Sequence, residues 1–118
     1  MYPYWYLCMT VFAEKLYGKT GAQISVNDEN EELAGSVFVT EYGKRVKIGD
    51  LHVRPDYRGH QFGVELLREA ELWTKQRGFR EIFGKLIPVP GGEKALLDAL
   101  KNQGYTIDYR TGIARKKI

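Results

Sequence analysis

Midway along the chain the spacing of apolar residues switches from alternation to a helical period, and this switch constrains the fold most. The segment 45–54 reads as a strand that stops at Pro55, which has no N–H to give to a ladder. From Gly63 onward, Leu66, Leu67, Ala70 and Trp73 fall on one helical face, with Glu65, Arg68, Glu69 and Lys75 largely elsewhere. Gly78 suits the residue that ends such a helix. Residues 79–87 then form another strand candidate, closed by Pro88 and Pro90. A strand, a helix and a strand in direct succession need a crossover, which implies that the two strands pair in parallel.

Upstream, residues 4–15 alternate Trp5, Leu7, Met9 and Val11 against Tyr6, Cys8, Thr10 and Phe12, as a strand does. A turn at Gly18-Lys19-Thr20-Gly21 leads to a strand near 23–27, and the acidic run 28–32 reads as a solvent-facing hairpin loop. Strands at 33–41 and 45–54 complete a four-stranded antiparallel meander. Downstream, 93–103 is an amphipathic helix with Leu96, Leu97 and Leu100 inward and Gly104 as terminator. A hairpin of 105–109 and 113–117 turns at Thr111-Gly112. The expected class is α/β, with a mixed sheet of the α+β kind in one domain, 1–118.

At 118 residues and 13.6 kDa the chain has room for one modest core. Its longest apolar stretch, 4–13, is ten residues against the roughly 20 that span a bilayer, so no membrane helix is expected. No basic region precedes that stretch, so no signal peptide is expected either. Cys8 is the only cysteine, which excludes an internal disulfide and a cysteine-rich zinc site and points to the cytoplasm. Of the net charge of +3, the segment 110–118 contributes +4 through Arg110, Arg115, Lys116 and Lys117, and the other 109 residues sum to −1. Charge confined to the end reads as a solvated final strand, and no nucleic-acid partner is expected.

The densest signal is Leu51-His52-Val53-Arg54-Pro55-Asp56-Tyr57-Arg58-Gly59-His60-Gln61-Phe62-Gly63, followed by Val64-Glu65-Leu66-Leu67. It is a strand, an Arg- and Gly-containing loop and a helix start, where unpaired N–H groups and a partial positive charge attract phosphate. Arg58 can fork onto a phosphate, and Gly59 and Gly63 allow close backbone approach. Glycines in such a turn also have a purely conformational reading.

The run Leu-x-Val-x-Pro-x-Tyr-Arg-Gly-x-x-x-Gly-x-x-Leu-Leu, with the later helix, strand, proline break, helix and Gly104-Tyr105, resembles the acetyl-coenzyme A signature of the GCN5-related N-acetyltransferase (GNAT) family. The resemblance covers residues 51–105. It implies that Arg58, Gly59, His60, Gln61, Phe62 and Gly63 cradle the pyrophosphate and that Leu51, His52 and Val53 line the pantetheine arm. No Gly-x-Gly-x-x-Gly and no Walker loop competes with it. Three departures stand out. Gln61 takes the place of the middle glycine, and Leu100 stands where the family often has a proton-donating tyrosine. The first two strands leave almost no room for the family's usual helix pair, which implies a trimmed domain.

Acetyl transfer to an amine needs a base for the ammonium proton and a partner for the thioester oxygen. The resemblance assigns the oxyanion partner to the backbone N–H of Val53. Asp50 and His52 are the candidate bases, with Glu41 on the neighbouring strand; an imidazole ordinarily titrates at about 6.5. Each has a plainer reading: His52 as a half-buried strand histidine, Asp50 as the mark of a bulge, His60 as an exposed loop residue. Tyr105 and Tyr109 read as core or rim packing, and Cys8 as a small core residue. The cluster Tyr2-Pro3-Tyr4-Trp5-Tyr6 exceeds what one edge strand needs and suggests a homodimer contact or an acceptor-pocket wall. The function expected is acetyl-CoA-dependent transfer of acetyl to an amine by direct attack, with no metal. The alternative is a non-catalytic acyl-CoA-binding module, which Gln61 and Leu100 favour, and a third reading is an anion-binding protein using its basic end.

Overall fold

Alternating side chains build the first half as a meander, as expected. In a computed structural model, which describes residues 8–16, 19–27, 30–54, 62–86 and 93–118, four strands pair antiparallel in chain order. They are β1 (Cys8–Leu16), β2 (Lys19–Asn27), β3 (Leu33–Tyr42) and β4 (Arg45–Val53). Leu16 stands opposite Lys19, so Lys19 to Gly21 belong to β2 rather than to a turn. Only two residues therefore separate these strands, and no helix pair intervenes.

The helix α1 (Phe62–Gln76) crosses from β4 to β5 (Glu81–Lys85). Its buried face is the one the spacing defines: Leu66, Leu67, Ala70 and Trp73 pack on Ile24 and Val26 of β2, Val37 and Val39 of β3 and Val46 of β4. Gly78 ends the turn after α1 with φ 83° and donates its N–H to the Lys75 carbonyl at 3.0 Å. β4 and β5 run parallel, with Val46, Lys47 and Ile48 beside Ile82, Phe83 and Gly84. After α2 (Glu93–Asn102), β6 (Thr106–Asp108) and β7 (Ile113–Lys117) close the sheet in the order β1-β2-β3-β4-β5-β7-β6. β7 is thus an interior strand at Ile113 to Arg115, while Lys116 and Lys117 pair with β5 alone.

Both helices lie on one face. Leu66 and Leu67 of α1, Leu100 of α2, Ile82 of β5 and Ala114 of β7 share one buried cluster. Leu97 is only half-buried. No helix covers the opposite face among the described residues. There the register sets Lys47 beside Phe83, Phe83 opposite Arg115 and Glu81 opposite Lys117.

Candidate active site

β4 and β5 part company after Ile48 and Gly84, and two local features of the sequence cause it. The first is a bulge. Phe38 stands opposite Gly49 and Ser36 opposite His52, so β4 spends one residue more than β3 over this interval. Asp50 absorbs the extra residue with φ 49°, a left-handed conformation that aspartate tolerates better than most side chains. The bulge resets the alternation. Val46 and Ile48 face the helices before it, and Leu51 and Val53 pack on the core after it, whereas strict alternation would have put Asp50 and His52 there.

The second feature is Gly84. A Cβ at this position would stand 3.0 Å from the Ile48 carbonyl oxygen and 3.3 Å from the Ile48 Cβ. With glycine at residue 84 the strands approach closely at their last shared pair, where a larger residue would require Ile48 to give by a few tenths of an ångström. Beyond it Lys85 pairs with Ile113 of β7, and no strand among the described residues pairs with β4 from Gly49 onward on that side.

A cavity of about 300 Å³ occupies the opening. Leu67 of α1, Leu96 and Leu100 of α2, Leu86 and Ala114 form its apolar walls, while Gly49, Asp50, Leu51, His52 and Lys85 line its sheet side. Leu51 and His52 border this opening. Val53 follows on the same strand, next to the start of α1: a Cβ at Gly63 would meet Val53 Cγ2 at 3.7 Å. Arg54 donates its N–H to the Ala34 carbonyl at 2.8 Å on the β3 side. Successive N–H groups alternate along a strand, so the Val53 N–H points to the opening. Phe62 and Gly63 form the first turn of α1. Arg58, Gly59, His60 and Gln61, and the cluster Tyr2 to Tyr6, lie outside the described residues.

The candidate bases separate cleanly. His52 is exposed and shares the helix-free face with Ser36, which stands directly opposite it. Asp50 is exposed at the bulge, the plainer of its two readings and one that still leaves its carboxylate at the opening. Glu41 is not available. It stands opposite Val46 on the helix side, where its Oε2 accepts a hydrogen bond from Arg77 at 3.2 Å.

Tyr105 also lines the cavity, with its hydroxyl engaged by a residue of α1. The Tyr105 hydroxyl donates to Glu71 Oε2 at 2.9 Å, and Lys116 Nζ holds the other oxygen of that carboxylate at 2.8 Å. Burial, and then the neighbouring Glu71 charge, push the Tyr105 phenol well above its ordinary value, so it stays protonated and committed to Glu71. Tyr109 is 67% exposed beneath the Lys101 ammonium. Sequence reasoning missed this Tyr105–Glu71–Lys116 link because its members lie 34 and 45 residues apart. Lys85 was missed too, and only its place directly after the glycine of β5 could have marked it.

A mixed sheet whose fourth and fifth strands run parallel and then diverge over an apolar cavity defines the acyl-CoA N-acyltransferase class of fold. The sequence profile of the Acetyltransferase (GNAT) family matches residues 2–106, and the chain belongs to that family. Solved structures agree on the fold. A GNAT-family acetyltransferase from Staphylococcus aureus Mu50 superposes with a TM-score of 0.71 at 13% identity, over 82% of this chain and 68% of that one. An acetyltransferase from Bacillus cereus ATCC 14579 gives 0.66 at 22% identity, over 83% and 73%. The PaiA N-acetyltransferase from Thermoplasma acidophilum, solved in complex with coenzyme A, gives 0.67 at 19% identity, over 81% and 60%. No curated protein matches the chain. No helix among the described residues is long and apolar enough to cross a membrane.

Proposed function

We propose that the protein transfers an acetyl group from acetyl-CoA to an amine by direct attack at the opening between β4 and β5. The parting of these strands above an apolar cavity carries the reading. An extended acyl-pantetheine arm needs a strand edge for its amides and an apolar trough for its methylenes, and the opening beside Gly49 to His52 offers both. Leu51, His52 and Val53 border the arm on β4, and Leu67, Leu96 and Leu100 form the trough. The pyrophosphate falls to the first turn of α1 at Phe62 and Gly63, with Arg58, Gly59, His60 and Gln61 leading into it. Gln61 keeps the backbone N–H that such a site uses.

Acetyl-CoA supplies an activated thioester, whose carbonyl carbon bonds to the amine nitrogen as the carbon–sulfur bond breaks and the thiolate leaves to take a proton from solvent. The chain's part is to place the groups around this exchange. The Val53 N–H stabilises the charge that develops on the carbonyl oxygen. His52 takes the proton that the amine gives up, because it lies on the face from which an acceptor reaches the opening. Asp50, one bulge away, is the second candidate for that proton.

The test is steady-state acetyl transfer with calorimetric titration of coenzyme A. His52→Ala should lower the rate at saturating substrate about 10²–10⁴-fold while coenzyme A affinity holds. An equal loss in Asp50→Ala, with His52→Ala active, would move the role to Asp50. A second reading, an acyl-CoA-binding module without turnover, draws on Leu100 in the cavity wall and on the Tyr105 hydroxyl being held by Glu71. Coenzyme A binding with no transfer to any amine would establish it.

A further inference from the structure

The helix-free face carries an arrangement of charge that bears on which amines can approach. Lys47, Phe83 and Arg115 form one row across β4, β5 and β7, and Lys85 follows Phe83 two residues along β5. With strands about 4.8 Å apart, Lys47 and Arg115 stand roughly 10 Å from each other, and Lys85 lies diagonal to both at roughly 7–8 Å. Lys47 and Arg115 thus flank Phe83 on this face, and Lys85, the next residue along it, lines the opening. Lys47, Lys85 and Arg115 are exposed, and none of them has a carboxylate partner among the described residues. Lys47 lies only over the Tyr42 ring, at 5.9 Å. Two further cations share this face: Arg45 pairs with Glu81 at 3.2 Å and stacks over Phe83 at 4.0 Å, and Lys117 stands opposite Glu81.

The acids on the same side are few and placed differently. Glu81 answers Arg45, and Asp108 accepts the backbone N–H groups of Arg110 and Thr111 in its turn. Asp50 stands on β4, across the opening from Lys85, and both line the cavity. An acceptor amine aligned with Asp50 and His52 would therefore have the three cations beside it on β5, β4 and β7. Ammonium and guanidinium groups without carboxylate partners on one face attract an anion and repel a polycation.

Resting on the transfer reading above, we infer that the acceptor is an amine that also carries an anionic group, a carboxylate or a phosphate. Lys85, with Lys47 and Arg115, holds that group while the amine faces His52 and Asp50. A polyamine is disfavoured by the same three charges.

The experiment compares kcat/KM for matched acceptors: phenylalanine against phenethylamine for the carboxylate, phosphoethanolamine against ethanolamine for the phosphate, and spermidine as the polycation. The anionic member of at least one pair should be favoured tenfold or more, and the pair that shows it identifies the anion. Lys85→Glu should reduce that preference at least tenfold, and Lys47→Met with Lys85→Met should bring it towards unity. A purely structural loss would lower both members of a pair together and leave the ratio unchanged, which would overturn the inference. So would transfer to neutral amines or spermidine at rates equal to the anionic ones, and that result would leave the transfer reading standing. The same amines are titrated calorimetrically into the coenzyme A-saturated protein. Anion-dependent binding without transfer would uphold the inference and overturn the transfer reading, whereas neither binding nor transfer would overturn both.

Discussion

The Tyr105 hydroxyl and the Lys116 ammonium hold the two oxygens of Glu71, at 2.9 and 2.8 Å, and so tie α1 to the strand end below α2 and to β7. Such charge-assisted bonds at a half-buried site are stronger than neutral ones. Tyr105→Phe keeps the ring in the core and removes only the donor, so chemical denaturation should show a loss of about 1–2 kcal/mol. The pH dependence follows from the raised phenol. In the unfolded chain a tyrosine ionises near 10, while in the fold Tyr105 retains its proton well above that. The unfolded state thus binds fewer protons above pH 10, and stability falls as pH rises from there. Melting temperatures should drop less steeply above pH 10 in Tyr105→Phe than in the parent, and identical slopes would show that Tyr105 is not the group responsible. Transferase activity, if His52 rather than a tyrosine handles the proton, survives this substitution wherever the protein is folded.

At the scale of elements, glycines fix where neighbours can close in and where they must part. Gly84 sits at the last β4–β5 pair, and Gly35 of β3 is similar, since a Cβ there would stand 2.8 Å from the His52 carbonyl oxygen and 3.1 Å from Leu66 Cδ1. Backbone cannot yield as a side-chain end can. Gly84→Ala should therefore cost about 1–3 kcal/mol, read by denaturation, and weaken coenzyme A binding in the same variant because it displaces β4 where the opening begins. Unchanged stability and affinity would mean that Gly84 does not set the opening. The helices were legible because 3.6-residue spacing needs only nearby residues, and Leu66, Leu67, Ala70 and Trp73 are buried as read. Strand limits were less legible. The segment 79–87 forms ladder only at Glu81–Lys85, and β2 starts at Lys19 because its partner β1 extends to Leu16. Pairing partners, which no local pattern names, set both limits. The place of β7 inside the sheet was likewise hidden, since four cations at a chain end look the same on an edge strand as between two neighbours.

For the molecule as a whole, the crossover through α1 and the break in β4 bring the loop-to-helix signal and the strand edge to one opening. The motif at 51–63 announced the class of ligand. The bulge that turns His52 away from the helices could be read only as an alternative at Asp50. The cations around Phe83 were invisible as a group, because Lys47, Lys85 and Arg115 come from three strands and each alone looks like a solvent-facing position. The central claim is that this opening and the first turn of α1 hold coenzyme A, and calorimetric titration of the parent and Gly63→Asp at one salt concentration tests it most directly. Among the described residues a Cβ at residue 63 meets Val53, at 3.7 Å, an ordinary contact, and an acid in a first helical turn is mildly stabilising, so the variant should fold. Its carboxylate would face the pyrophosphate charges at a cost of roughly 1 kcal/mol in water to about 4 near the surface for each contact at ~4 Å. The account predicts measurable coenzyme A binding by the parent and a loss of tenfold or more in a variant with an unchanged melting temperature. Equal affinity in the folded variant, or no binding by the parent, would contradict it.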